Sequence, residues 1–184
     1  MTTTVLEVRD VTVRFGGVVA VNQASLTIKQ GELIGFVGPN GAGKTTLMRV
    51  ITGMVKANEG QVLLMGNELA GMAVNQRIRS GLALAQQIVQ PLRAMTLLQN
   101  VALACGAAKT DSPFTAMASY ERVSENKRAL ELLSQVGLGE VADQEPAKLP
   151  LGYLKRLEVA RAMALNPKLL LLDEPLAGLN QSEA

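Results

Sequence analysis

Cysteine is almost missing from the 184 residues: only Cys105 is present. One cysteine cannot close an internal disulfide, so a secreted disulfide framework is excluded and a reducing compartment is expected. Cys105 sits among alanines, the setting of a buried, inert thiol. Runs of like charge are missing too. The 18 basic and 16 acidic residues leave a formal net charge of +2. There is no acidic or basic tail and no electrostatic footprint for nucleic acid, so no nucleic-acid partner is expected. No apolar run approaches the ~20 residues that span a bilayer. The N-terminus lacks a basic region followed by an apolar core, so it does not read as a secretory leader. Direct membrane insertion is therefore not expected, and any membrane role would come through a partner. Internal repeats and low-complexity tracts are also absent.

What remains is a chain that is 48% apolar. It is expected to fold as one globular domain. Leu6, Val8, Val11, Val13 and Phe15 alternate with polar residues and predict a strand. Gly16 and Gly17 form a turn, a second strand falls near residues 24–29, and Gln30-Gly31 turns again. Residues 33–37 are a short apolar run bounded by glycine and read as a strand buried on both faces. Leu47, Val50, Ile51 and Met54 share one helical face, with Gly53 near the helix end. Residues 61–65 read as another strand, followed by a turn at Gly66-Asn67. From about 97 to 165 the pattern is helical. Ala129, Leu132, Leu133 and Val136 share a face, and Gly137 is the C-cap. A helix from about 152 to 165 stops at Asn166-Pro167. Four consecutive leucines, 169–172, then predict a core parallel strand. Asn180, Gln181, Ser182 and Glu183 resemble the opening of a helix, so the domain is expected to be incomplete.

Residues 38–45, Gly-Pro-Asn-Gly-Ala-Gly-Lys-Thr, fit G-x-x-x-x-G-K-[ST] between a predicted strand and a predicted helix. A triphosphate needs many donors close together. Gly38, Gly41 and Gly43 permit backbone angles that turn successive N–H groups inward, and around them Pro39, Asn40 and Ala42 complete the loop. The helix N-terminus adds unpaired N–H groups and a positive partial charge. Lys44 reaches the β and γ phosphates, Thr45 offers a hydroxyl to Mg²⁺, and Thr46 bonds the α phosphate. Without its flanking elements the same pattern would be an ordinary glycine turn. Asp173 and Glu174 follow the leucine strand, at the strand end where ligands of open α/β sheets bind. They read either as solvated carboxylates or as a divided pair. In the pair, Asp173 holds Mg²⁺ through water and Glu174 orients or deprotonates the attacking water.

In the order of its motifs the chain resembles the ATP-binding-cassette (ABC) family. Residues 38–46 match its Walker A loop and 169–174 its Walker B strand with the adjacent glutamate. Gln87 falls at the Q-loop glutamine and is preferred to Gln86 because no gap is then needed up to Met95-Thr96. Leu149, Pro150, Leu151, Gly152 and Tyr153 fall at the signature motif, and Ala177, Gly178, Leu179 and Asn180 at the D-loop. Phe15 stands either as a buried strand aromatic or as the residue that stacks on adenine. The loop sequence, Met95-Thr-Leu-Leu-Gln-Asn-Val101 and Lys155-Arg-Leu-Glu-Val-Ala-Arg-Ala162 resemble the branched-chain amino acid uptake subgroup.

The resemblance implies an α/β P-loop NTPase core with an N-terminal antiparallel β subdomain. An α-helical subdomain, about 88–165, would be inserted in a single domain spanning 1–184. It implies ATP and Mg²⁺, with Gln87 as Mg²⁺ ligand and γ-phosphate sensor. It implies a second ATPase subunit, identical or paralogous, whose ATP meets the signature in trans. Transmembrane permease subunits and a cytoplasmic place on the inner membrane face follow. The signature departs from Leu-Ser-Gly-Gly-Gln, because Pro150 removes a hydroxyl and an N–H, which implies a weaker trans contact. The family's switch histidine is also missing, since the chain contains no histidine. Two other readings stand beside the importer ATPase. One is a soluble cassette protein acting on DNA or ribosomes, disfavoured by the lack of a basic arm or coiled coil. The other is a truncated remnant that binds nucleotide without turnover.

Overall fold

The computed structural model describes residues 3–85, 90–106 and 123–173. The chain divides into two compact units, Met1–Leu82 and Ala83–Ala184.

The first unit is built on a hairpin of two twelve-residue strands. Strand β1 (Thr4–Phe15) pairs antiparallel with β2 (Val18–Lys29), and Gly16, at φ 56°, makes the tight connection. β3 (Glu59–Leu64) pairs with the other edge of β1 and β4 (Asn67–Glu68) with β3, giving the order β2-β1-β3-β4. β1 is central, and Leu6, Val8, Val11 and Val13 all lie in the core. A strict two-residue repeat would put Val8 and Val11 on opposite faces. The register shifts between them, and Asp10 takes a left-handed φ of 47°. Ser25 holds this bulge: its hydroxyl accepts from the Asp10 N–H at 2.8 Å and donates to the Asp10 carboxylate at 2.9 Å. The bulge thus turns apolar residues of both parities to one core.

Helix α1 (Lys44–Thr52) packs beside β2 and buries Leu47, Val50 and Ile51. It ends earlier than the apolar spacing predicts. Gly53 takes φ 84° and its N–H bonds the Val50 carbonyl at 3.1 Å, so Met54 leaves the helical face and is exposed. The short α2 (Val74–Arg79) follows β4.

The buried strand expected at 33–37 is not found. Among the described strands none pairs with these residues, and Leu33 and Val37 are 97% and 99% exposed. A strand is defined by its ladder, and without a neighbour this apolar run has nothing to be buried against.

In the second unit, β5 (Leu82–Ala85) lies beside β6 (Leu169–Leu172) in a two-stranded sheet. Three helices pack together, α3 (Leu97–Gly106), α4 (Val123–Gln135) and α5 (Leu151–Ala164). Leu97 and Val101, Leu132 and Leu133, and Leu157 are wholly buried at their junction. Each such leucine is worth about 1.5–3 kcal/mol of burial. The expected face of α4 is present, and Gly137, at φ 71°, closes the helix as a left-handed cap. The Leu138 N–H reaches back to the Leu133 carbonyl at 2.7 Å.

Candidate functional site

The loop at residues 38–43 joins the exposed run 33–37 to α1. Its inner turn is fixed by the Ala42 N–H on the Pro39 carbonyl at 3.2 Å. Gly41 and Gly43 have φ of 83° and 86°, in the left-handed region. For Gly43 the need is double. A Cβ there would lie 2.4 Å from the Ala20 carbonyl oxygen of β2 and 3.1 Å from a Val21 methyl. The hairpin therefore backs the loop directly, and only glycine lets the two backbones approach so closely.

Lys44, the first residue of α1, folds back across the loop. Its ammonium donates to the Gly38 carbonyl at 2.6 Å and the Pro39 carbonyl at 2.8 Å. An ammonium has three donors, so the charge is held over the loop with capacity for a further acceptor. Gly43 caps α1 with no side-chain bond, and no acid stands in the first turn. The helix N-terminus thus presents main-chain N–H groups and a positive partial charge, with no carboxylate of its own to oppose an anion. Thr45 and Thr46 lie half-buried at that end. Left-handed glycines, an uncapped helix start and a loop-bound ammonium suit a polyphosphate. The adjacent Thr45 hydroxyl suits the divalent cation that accompanies one.

Phe15 lies at the hairpin end, 52% exposed, next to exposed Val18 and Val19. It is not the buried strand aromatic, one of its two readings. Asp173 directly follows β6, half-buried, and its N–H bonds the Ala85 carbonyl at 3.2 Å. Gln87, Glu174 and the segment 177–180 lie outside the described residues.

The segment 149–153 opens α5. Leu149 ends a 3₁₀ turn, with its N–H on the Pro146 carbonyl at 3.1 Å. Pro150 sits just before the helix, and its carbonyl accepts from Tyr153 at 3.1 Å and Leu154 at 3.3 Å. A proline costs little there, where its missing N–H would have no helical partner. Leu151 is exposed and Gly152 buried. The Arg156 guanidinium stacks 4.7 Å from the Tyr153 ring centroid, so the tyrosine at this position is engaged along its own helix.

Two polar anchors carry no motif, and sequence reasoning missed them. Arg77, 8% exposed, donates to the carbonyls of Val50 at 2.7 Å, Ile51 at 2.9 Å, Leu69 at 2.7 Å and Met72 at 3.2 Å. It thereby places a cation at the C-terminal end of the phosphate-loop helix, where the helix dipole favours it. Burial alone lowers its pKa, a shift that leaves a guanidinium charged. Asn100, 1% exposed, ties the turn before α3. Its amide donates to the Leu92, Met95 and Thr96 carbonyls and its oxygen accepts the Leu92 N–H. The only sequence signal is positional: Asn100 stands on the core-facing stripe with Leu97 and Val101.

Fold and loop together define a nucleotide-binding ATPase of the P-loop class. The ABC transporter family profile matches residues 21–177. The chain belongs to the ABC transporter family. It is similar to LivG of Escherichia coli K12, a high-affinity branched-chain amino acid transport ATP-binding protein. The two are 36% identical over 188 residues, 100% of this chain and 74% of that relative. Among solved structures it resembles MJ1267, an ATP-binding cassette of an ABC transporter, in its ADP conformation. There the TM-score is 0.79 at 29% identity, over 98% of this chain and 72% of the other. It also resembles the dimeric post-hydrolysis state of the ATP-binding cassette MJ0796 bound to ADP and Pi. There the TM-score is 0.78 at 26% identity, over 97% and 77% of the two chains. Among the described residues no helix is long and apolar enough to cross a membrane.

Proposed function

We propose that the chain is the ATP-binding and ATP-hydrolysing subunit that energises an importer of branched-chain or other amino acids. The observation that carries this reading is the Lys44 ammonium, held over a left-handed glycine loop at an uncapped helix start. The similarity to LivG supports the transport assignment. In this reading the amide groups of the loop and of α1 bind the phosphates, Lys44 neutralises the β and γ phosphates, and Thr46 bonds the α phosphate. Phe15 stacks on the adenine. Thr45, with Gln87 and, through water, Asp173, would hold Mg²⁺, whose charge would offset that of the γ-phosphate. Glu174 orients the attacking water and accepts its proton. A second ATPase subunit, identical or paralogous, would place its ATP against 149–153, with 177–180 lining the same interface. The helical residues, about 88–165, would form a subdomain within a single domain and face transmembrane permease subunits. The chain would then lie on the cytoplasmic face of the membrane. The test is Mg-ATP affinity of Lys44→Ala by calorimetry. Losing a charge-assisted phosphate contact should cost ~2 kcal/mol or more, roughly thirtyfold in Kd. Unchanged affinity would remove the loop assignment and the function built on it.

A further inference from the structure

A cavity lies in the first unit, at the far end of α1 from the phosphate loop. Its volume is about 530 Å³, within the range of small-molecule sites. Val55, Val62, Leu69 and Met72 supply apolar walls, and Arg77 and Lys56 supply the charge. No Asp or Glu is found among the described residues that line it. Gly53, Gly60 and Gly71 all line it, and their φ values of 84°, 85° and 74° admit other residues only with strain.

The charge on Arg77 is the telling feature. A buried cation is costly unless it is compensated. Four of the five guanidinium N–H groups are spent on neutral carbonyls, and the burial of the group lowers its pKa, with no carboxylate among the described residues raising it. Among the described residues one N–H has no acceptor, and exposed Lys56 stands at the same cavity.

We propose that this cavity binds a small monocarboxylate with a compact aliphatic body. The carboxylate lies between Lys56 and Arg77, and the hydrocarbon lies against Val55, Val62, Leu69 and Met72. The site is separate from the phosphate loop and does not depend on the reading given to Lys44.

The test uses 4-methylpentanoate as probe and its neutral isostere 4-methylpentanamide as control, with methyl resonances of Met72 and Val62 as readout. Saturable shifts are expected with the acid. Binding at least about tenfold weaker is expected for the amide, and again for the acid with Lys56→Glu, a surface substitution that leaves the fold intact. Equal binding of acid and amide would reduce the cavity to an apolar void and overturn the proposal. So would acid binding unaffected by Lys56→Glu, or no saturable shift up to about 10 mM acid, beyond which affinity is negligible.

Discussion

The close approach of the phosphate loop to the hairpin makes a quantitative prediction through two glycines. Gly41 and Gly43 have nearly the same φ, 83° and 86°, but different surroundings. Nothing lies within 4 Å of a Cβ placed at Gly41, whereas a Cβ at Gly43 meets the Ala20 carbonyl at 2.4 Å. In Gly41→Ala the left-handed conformation costs about 1–2 kcal/mol. A loss of unfolded-state freedom worth about 0.4–1 kcal/mol offsets part of it. The net destabilisation is then about 1 kcal/mol. In Gly43→Ala the same balance applies, and the contact must also open by about 0.6 Å to reach the 3.0 Å that real Cβ atoms respect (3.0 less 2.4). The obstacle is strand backbone rather than a flexible tip, so a further ~1–3 kcal/mol is expected, the range for overpacking. Urea denaturation followed by far-ultraviolet circular dichroism should rank native, Gly41→Ala and Gly43→Ala in that order. Displacing α1 from its loop should also weaken Mg-ATP binding of Gly43→Ala by at least about tenfold, since a shift near 1 Å is costly to a positioned site. If the two variants unfold at the same urea concentration, the Ala20 carbonyl is no obstacle and the argument fails.

Asn100→Leu should lose about 2 kcal/mol, because it removes four part-buried hydrogen bonds that hold the 92–96 turn; thermal unfolding measures it. Burial pushes the Cys105 thiol above its ordinary value near 9.0, against a smaller opposing pull from Arg128. The neutral thiol is favoured in the folded chain, so its stabilisation is complete below about pH 9 and is lost as pH rises through the folded pKa. Iodoacetamide should accordingly alkylate Cys105 more slowly in the native than in the unfolded chain at pH 8.5. Pro150→Ser restores the hydroxyl and N–H missing from the signature and should tighten ATP-dependent dimerisation by a few fold, read by sedimentation; unchanged association would count against a trans contact at 150.

Much of this molecule was legible because its signals are local. The glycine spacing of 38–45 demands left-handed backbone wherever it folds. The stripe Ala129, Leu132, Leu133 reports its own helix, and Gly137 its own cap. The sequence pattern marks β2 only near 24–29, whereas the strand spans Val18–Lys29. Its first half carries exposed Val18 and Val19 and a left-handed Gln23, which break the two-residue alternation. The run 33–37 misleads for the opposite reason. Its apolar composition is that of a buried strand, but burial requires ladder neighbours, which composition does not supply. α2 and β5 are six and four residues long, too short for periodicity to declare them. Of the site residues, Lys44 and Gly43 were readable from their motif. Arg77 was not, since its four acceptors are main-chain carbonyls, which have no sequence identity.

That anchor also constrains which substitutions the chain can accept, and in what order. A Cβ at Gly53 would lie 2.7 Å from Nε of Arg77, a side chain pinned by four hydrogen bonds and unable to step aside. While Arg77 is present, any side chain at 53 carries both a collision and the strain of φ 84°; once Arg77 is shortened, only the strain remains. The two positions should therefore be epistatic, with Gly53→Ala more harmful in the native background than beside Arg77→Ala. Descendants of this sequence should therefore relinquish the glycine more readily after the arginine than before it.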